Sequence, residues 1–402
     1  MGHRAVNDFD LELKQRLDAL REQALFRELR RVDSAQSSQI QMDGRAFLNF
    51  SSNDYLGLAN DPVLKEAAIK AVKQFGAGAG ASRLICGSLA PFHELEEALA
   101  DFKHTEAALT FSTGYATAIG TICALLGKSD IVILDKLVHA SIVDAAKMSG
   151  AKLRVFAHND LNDLEGKLKW ARHQSRSPAV STRRILVVTE SIFSMDGDAA
   201  PLREIAALKE KYGAWLLVDE AHATGILGEN GRGLAEQLGV GRQIEIQMGT
   251  LGKALGASGG YICGSRQLID FLVNRARSFI FSTAPVPAAA AAATAAIQFV
   301  QSTQGRARRE RLWRRIRKLN AKLKTRNSKP QSAIVPVIIG KENLTVAAAT
   351  RLRERGIFVP AIRYPTVARG KARLRVTLTA LHSINDVLML AGLLEEILND
   401  KL

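Results

Sequence analysis

Between residues 107 and 264 the chain alternates short apolar runs, "AALTFS", "IVILD", "LRVFA", "RILVVTES", "AWLLVDE", "QIEIQMGT" and "GGYICG", with helical patterns such as "LREIAALKEKYG". A strand that is apolar on both faces must be covered on both faces, and a parallel neighbour can be reached only through a crossover long enough to hold a helix. The alternation therefore predicts an α/β fold with a mostly parallel sheet between two layers of helices. In such sheets ligands bind beyond the carboxyl ends of the strands, so polar residues at those ends are the first place to look for chemistry.

The flanks are patterned differently. Residues 9–31, "FDLELKQRLDALREQALFRELRR", have helical periodicity, and "IQMDGRAFLNF" reads as two short strands around an Asp-Gly turn. Pro285 and Pro287 interrupt the pattern in "STAPVPAAAAAATAAIQFV". An alanine-rich helix follows, then a basic helix, the strand "AIVPVIIG", the helix "LTVAAATRLRERG", the strand "ARLRVTLTA" and a last helix over 383–399. The expected division is an N-terminal segment 1–50, a large α/β domain 51–287 and a smaller α+β domain 288–402.

Composition narrows the function classes. No stretch of about 18 apolar residues is free of charge, and "MGHRAVNDFDLELKQRL" lacks the apolar core of a secretory signal, so a cytoplasmic protein without a membrane span is expected. Cys86, Cys123 and Cys263 are isolated and read as small buried hydrophobes. "HELEE" from His93 lacks the second histidine of a metalloprotease motif, so no metal site is expected, and no G-x-S-x-G elbow is present. The net charge of +15 attracts acidic partners. Much of it lies in "QGRARRERLWRRIRKLNAKLKTRNSKP", where Leu312, Ile316, Leu319 and Leu323 recur at helical spacing and leave the cations on the other faces. Without interleaved aromatics or a nucleic-acid motif, that face reads as solvated, and no nucleic-acid partner is expected.

One glycine-rich segment, "GTLGKALGASGG" at 249–260, places Lys253 among small residues directly after a strand. A phosphate-cradling loop requires G-x-x-x-x-G-K-[ST]. Here Gly249 precedes Gly252 by three residues instead of five, and Ala254 replaces the metal-binding hydroxyl. Two readings remain, a solvated lysine in a turn and a Schiff-base lysine whose small neighbours admit a planar cofactor.

Other strand ends carry Asp219 with His222, Glu190 with Ser194 and Asp196, His139, and Gly114 with Tyr115. Singly, each is read equally well as a cap, a turn or a satisfied core residue. Together they match the needs of a pyridinium cofactor: a carboxylate for the ring nitrogen, a planar group for one face, donors for the phenolic oxygen, a helix N-terminus for the phosphate and a lysine for the aldehyde.

The chain resembles, over nearly its whole length, the α-oxoamine synthases among the fold-type-I pyridoxal-phosphate enzymes. The motifs that carry the resemblance are, in order, "FLNFSSNDYLGL", "GAGASRLICGS", "HELEEALADF", "HASIVDA", "ESIFSMDGDAAPL", "VDEAHATGILGENGRG", "GTLGKALG" and "RLRVTLTALH". It implies a fold-type-I transferase with a seven-stranded sheet, pyridoxal 5'-phosphate as cofactor, and a homodimer with its active site at the subunit interface. Lys253 would carry the cofactor and move the α-proton, Asp219 would face the ring nitrogen, and His139 would stack on the ring. Ser194 and His222 would bond the phenolic oxygen. Gly114, Tyr115 and Thr250 would hold the phosphate, with Ser282 and Thr283 reaching it from the neighbouring subunit. Asn53, Glu190 and Arg375 would lie near the amino-acid substrate, and Arg27 and Arg363 near the acyl substrate. The glycines around Lys253 would permit close approach of the cofactor.

The reaction implied is the decarboxylative condensation of L-alanine with a pimeloyl thioester of coenzyme A or of an acyl-carrier protein. Sister activities pair glycine with succinyl or acetyl thioesters. From a different class, a basic nucleic-acid-binding α/β protein without catalysis is the competing reading.

Overall fold

The computed structural model describes residues 8–23, 25–174, 183–323 and 330–399. Its centre is a seven-stranded sheet in the order Ala107–Phe111, Gly260–Gly264, Ile246–Thr250, Trp215–Asp219, Ile185–Glu190, Ile131–Asp135, Lys152–Phe156. All strands run the same way except Gly260–Gly264, which is antiparallel to both neighbours. The exception follows from chain length: only the loop 251–259 separates it from the preceding strand, too little for a crossover helix.

The pleat sends alternate side chains to opposite faces. Ile131, Ile133, Ile185 and Val187 belong to one buried cluster with Leu95, Leu99, Leu164 and Ile205, from the helices Ala90–Lys103, Leu161–Gln174 and Leu202–Tyr212. Val132, Leu134, Leu186 and Val188 belong to a second, with Ile122, Ile142 and Leu272 from the helices Gly114–Leu125, Ala140–Ser149 and Arg266–Arg275. Each fully buried Ile, Leu or Val contributes about 1.5 to 3 kcal/mol, enough to fix the register of every strand end.

The alanine-rich helix Pro287–Gln301 packs on Pro62–Phe75 and Ala90–Lys103, its small buried side chains letting the helices approach closely. Beyond it lie the helices Thr303–Leu323, Glu342–Glu354 and Ile384–Asn399 and an antiparallel sheet of Ile334–Gly340, Ala372–Thr377 and Ala361–Ile362. The hairpin Gln39–Met42/Arg45–Asn49 turns at Asp43 and Gly44, both with positive φ, and the short strand Ile357–Phe358 adds to it in parallel. Among the described residues no helix is long and apolar enough to cross a membrane.

Several expectations are corrected. The N-terminal helix spans only Asp8–Glu22 and buries none of its residues. The amides of Leu25 and Phe26 both return to the Leu20 carbonyl, and Arg27 to Val32 are all exposed, so no surface among the described residues supports a longer helix. Ala24 lies outside the described residues, as do 324–329 of the basic stretch. The strand expected from "QIEIQMGT" begins only at Ile246, because Glu245 turns its carboxylate to the Leu216 amide and Lys209. Cys263 is buried, whereas Cys123 is half-buried and Cys86 exposed. On the basic helix, Leu312, Ile316 and Leu319 are buried as expected, but so is Arg309, whose guanidinium donates to the carbonyls of Val300 and Glu229.

Beside the site's strand ends, His158 donates through Nδ1 to Asp135 at 3.0 Å and through Nε2 to Asp198 at 2.8 Å. The two carboxylates outweigh burial and raise its pKa from 6.5 to about 10. This pairing contributes stability that is fully present below pH 6.5 and is lost as pH rises through about 10. We expect His158→Gln to lower stability by roughly 1 to 3 kcal/mol at pH 7 and to flatten the decline of melting temperature between pH 7 and 10, both read by thermal unfolding across pH.

Candidate active site

The site is assembled at the carboxyl edge of the sheet. Glu190 and Asp219 end adjacent parallel strands and stand directly opposite in register, so two buried carboxyl groups share one edge. Burial raises both pKa values. For Glu190 the charge of Asp219 adds to this and Lys253 opposes it, leaving the value at about 8. Glu190 Oε1 is buried without a hydrogen-bond partner. Asp219 accepts the Ala221 amide on Oδ1 at 2.9 Å, and among the described residues no group bonds its Oδ2.

Lys253 stands on the loop between Ile246–Thr250 and the reversed strand. That loop is closed by hydrogen bonds from Leu251 to Gly259, Ala257 to Leu251 and Gly256 to Lys253. Its amine lies 2.7 Å from His222 Nε2, and burial, opposed by Asp219 and Glu190, pushes its pKa down to about 8. The other imidazole nitrogen, Nδ1, lies 2.6 Å from the hydroxyl of Tyr55. Burial and the nearby cations hold His222 well below the ordinary histidine value, so it is neutral.

Arg375, buried on the strand Ala372–Thr377, donates through Nε to the Ser194 carbonyl at 2.6 Å and through both terminal nitrogens to Asn53 Oδ1 at 3.2 Å. Two of its five N–H groups remain for a carboxylate. His139 caps Ala140–Ser149 and holds Ser141 through Nδ1, leaving its ring exposed. Gly114 and Tyr115 open the helix Gly114–Leu125. Thr113 takes the Ala116 amide, so the amides of Gly114 and Tyr115 are left without an acceptor among the described residues. Thr250 lies close by: a Cβ on Gly114 would come within 3.8 Å of its side chain.

The structure thus brings together Lys253, His222, Asp219, Glu190, Asn53, Arg375 and the Ser194 backbone, with His139 following the next strand and Gly114, Tyr115 and Thr250 grouped at one helix N-terminus. It leaves others apart. Ser282 and Thr283 lie on a loop bridged to Ser82, and among the described residues the Ser282 hydroxyl bonds only its neighbour's carbonyl. Arg27 is exposed beyond the N-terminal helix, and Arg363 is half-buried; neither side chain has a partner among the described residues. Tyr55, fully buried, was not among the expected site residues. The motif "SSNDYLGL" contains it, but no spacing relates it to His222, 167 residues away.

The glycines also differ from expectation. A Cβ at Gly249 would sit 2.3 Å from the Tyr261 hydroxyl, one at Gly256 2.5 Å from the Ala59 amide, and one at Gly260 2.4 Å from Thr117 Oγ1. These three permit protein to pack on protein. Gly252 alone of the four is exposed.

The chain matches the family described as aminotransferase class I and II over residues 45–394. It belongs to that family. It is 50% identical to the 8-amino-7-oxononanoate synthase of Geotalea daltonii, with 93% of this chain and 94% of the relative covered, and 48% identical to that of Geobacter sulfurreducens, at 92% and 94%. Among solved structures, a serine palmitoyltransferase from S. paucimobilis with bound PLP-myriocin aldimine superposes with a TM-score of 0.88 at 31% identity over 98% of both chains. An 8-amino-7-oxononanoate synthase from Francisella tularensis superposes at 0.74 with 27% identity, covering 89% of this chain and 99% of its own. The fold is therefore shared with a serine palmitoyltransferase whose solved form holds a PLP-myriocin aldimine.

The lowered pKa of Lys253 has a direct readout. Trapping of this lysine by a small aldehyde with borohydride, followed by peptide mapping, should rise through pH 8 while surface lysines react only at higher pH. A midpoint equal to that of surface lysines would exclude the buried, carboxylate-flanked amine described here.

Proposed function

We propose that the chain catalyses the pyridoxal-phosphate-dependent condensation of L-alanine with a pimeloyl thioester, with loss of the thiol and carbon dioxide, to give 8-amino-7-oxononanoate for biotin synthesis. The observation that carries this reading is Lys253: a half-buried amine with depressed pKa, bonded to a neutral histidine and facing a buried strand-end carboxylate with one free oxygen. Two relatives, 50% and 48% identical over 94% of their length, bear that product's name.

The residues present fit the cofactor. When bound, pyridoxal phosphate supplies an aldehyde for the amino group and a ring that accepts the electron pair freed at the α-carbon. Asp219 Oδ2 is free for the ring N–H, and low surrounding polarity makes that pairing strong. The unpaired amides of Gly114 and Tyr115 would hold phosphate at a helix N-terminus, and the Thr250 hydroxyl would join them by turning from the Gly259 carbonyl, to which it donates at 3.0 Å. His139 offers its ring face, and His222 and the Ser194 hydroxyl are the donors for the phenolic oxygen.

Arg375 takes the alanine carboxylate with its two spare N–H groups, pre-oriented by Asn53 and the Ser194 carbonyl. Lys253, neutral above pH of about 8, accepts the α-proton. Glu190 stays protonated to a similar pH and can donate to a substrate oxygen from Oε1, which has no partner. Arg27 and Arg363, free of partners, are assigned to the distal end of the pimeloyl chain. Exposed Leu84, Ile85 and Phe281 flank the Ser82–Thr283 bridge, an apolar patch that a second subunit would cover while bringing its Ser282 and Thr283 to the phosphate. The carrier, coenzyme A or acyl-carrier protein, would be drawn by the basic surface.

Thiol release measured with alanine or glycine paired with pimeloyl, succinyl and acetyl thioesters tests the substrates. Alanine with pimeloyl should be preferred, with glycine disfavoured by roughly 10 to 200-fold, the discrimination one methyl group allows. Preference for glycine with a short acyl chain would move the chain to a sister activity. Asp219→Ala should lower kcat by roughly two to four powers of ten, as expected for losing about 3 to 5 kcal/mol of buried ion pairing; near-normal turnover would remove Asp219 from the site.

A further inference from the structure

We propose that Tyr55 is a positioning residue that fixes the tautomer of His222, with the ring proton on Nε2 facing Lys253. A phenol has one proton to give, and two acceptors lie beside the Tyr55 hydroxyl: His222 Nδ1 at 2.6 Å and Asn53 Oδ1 at 3.2 Å. Asn53 Oδ1 already receives both terminal nitrogens of Arg375, which fills its two lone pairs. The proton therefore goes to Nδ1, the nearer and otherwise unserved acceptor. Nδ1 is then an acceptor, and a neutral imidazole must carry its only N–H on Nε2.

Tyr55 has no freedom to do otherwise. It is fully buried, its amide bonds the Asn53 carbonyl at 2.8 Å, and its carbonyl receives the Ala380 amide at 2.8 Å, tying the ring to the segment that follows the Arg375 strand. His222 is equally buried.

The consequence reaches Lys253. A protonated Nε2 lying 2.7 Å from Nζ can bond only a neutral amine, which offers a lone pair; an ammonium group would place proton against proton. The chain Arg375, Asn53, Tyr55, His222 thus passes a fixed donor direction to the lysine and disfavours its charged form. With the proposed cofactor bound, the same N–H would point to the phenolic oxygen. That use rests on the functional reading above, whereas the tautomer belongs to the protein chain itself.

Histidine-selective ¹⁵N NMR of the cofactor-free protein tests the proposal apart from any activity. His222, assigned by comparison with His222→Gln, should show an unprotonated Nδ1 and a protonated Nε2 at neutral pH. In Tyr55→Phe, which keeps the ring, this asymmetry should be lost or reversed, and the midpoint of Lys253 trapping should move above pH 8. In the loaded enzyme kcat should fall about tenfold, the worth of one hydrogen bond, with little change in the KM for alanine. A protonated Nδ1 in the unmodified protein, or an unchanged His222 spectrum in Tyr55→Phe, overturns the proposal. If Tyr55→Phe does not fold, the spectrum of the unmodified protein alone decides. A correct tautomer in a protein that releases no thiol from any pair would keep the proposal and refute the reaction.

Discussion

Two carboxyl groups buried side by side, Glu190 and Asp219, are the constraint on which the site depends. Parallel pairing brings them opposite each other, and the layers above and below leave little water to solvate them. Two like charges in such a place cannot both be held without cations. Lys253 is the cation that opposes the rise at both, and the cost is shared: the carboxyl pKa values rise and that of the lysine falls. Such a balance leaves the chain receptive to a further positive group at Asp219 Oδ2, which the proposed cofactor would provide.

The central sheet was legible in the sequence because its strands are apolar on both faces, a pattern with few structural solutions. The reversal of one strand is absent from its apolar pattern, although the short loop before it dictates the direction. The N-terminal helix is shorter than its pattern for a related reason: periodicity shows that a face exists, and says nothing of whether a surface lies against it. Leu17 and Leu20 repeat correctly yet remain exposed.

At the site, strand-end polar residues could be found one by one, whereas contacts between distant segments could not. The glycines around Lys253 illustrate this. Read alone they offer room for a ligand, but the room at Gly249, Gly256 and Gly260 is taken by Tyr261, the Leu58–Ala59 segment and Thr117. The pairing of Tyr55 with His222 is hidden in the same way, since each residue has a satisfactory local reading and only tertiary structure joins them.

The segment 191–200 is held from two sides. Asp198 meets His158 beside the large sheet, while Arg373 binds Asp196, Arg375 binds the Ser194 carbonyl, Ser332 donates to the Gly197 carbonyl and Gln331 accepts the Ala199 amide. Gly197 has positive φ and presses so closely on the Ile334 carbonyl that a Cβ would lie 2.4 Å from it. The C-terminal unit is therefore not a detachable module. Cutting the chain between the units would strip the segment of its anchors to Arg373, Arg375, Ser332 and Gln331, so the piece holding the lysine would lose the geometry of its own strand ends, and neither half could be exchanged with a relative's without carrying this seam along.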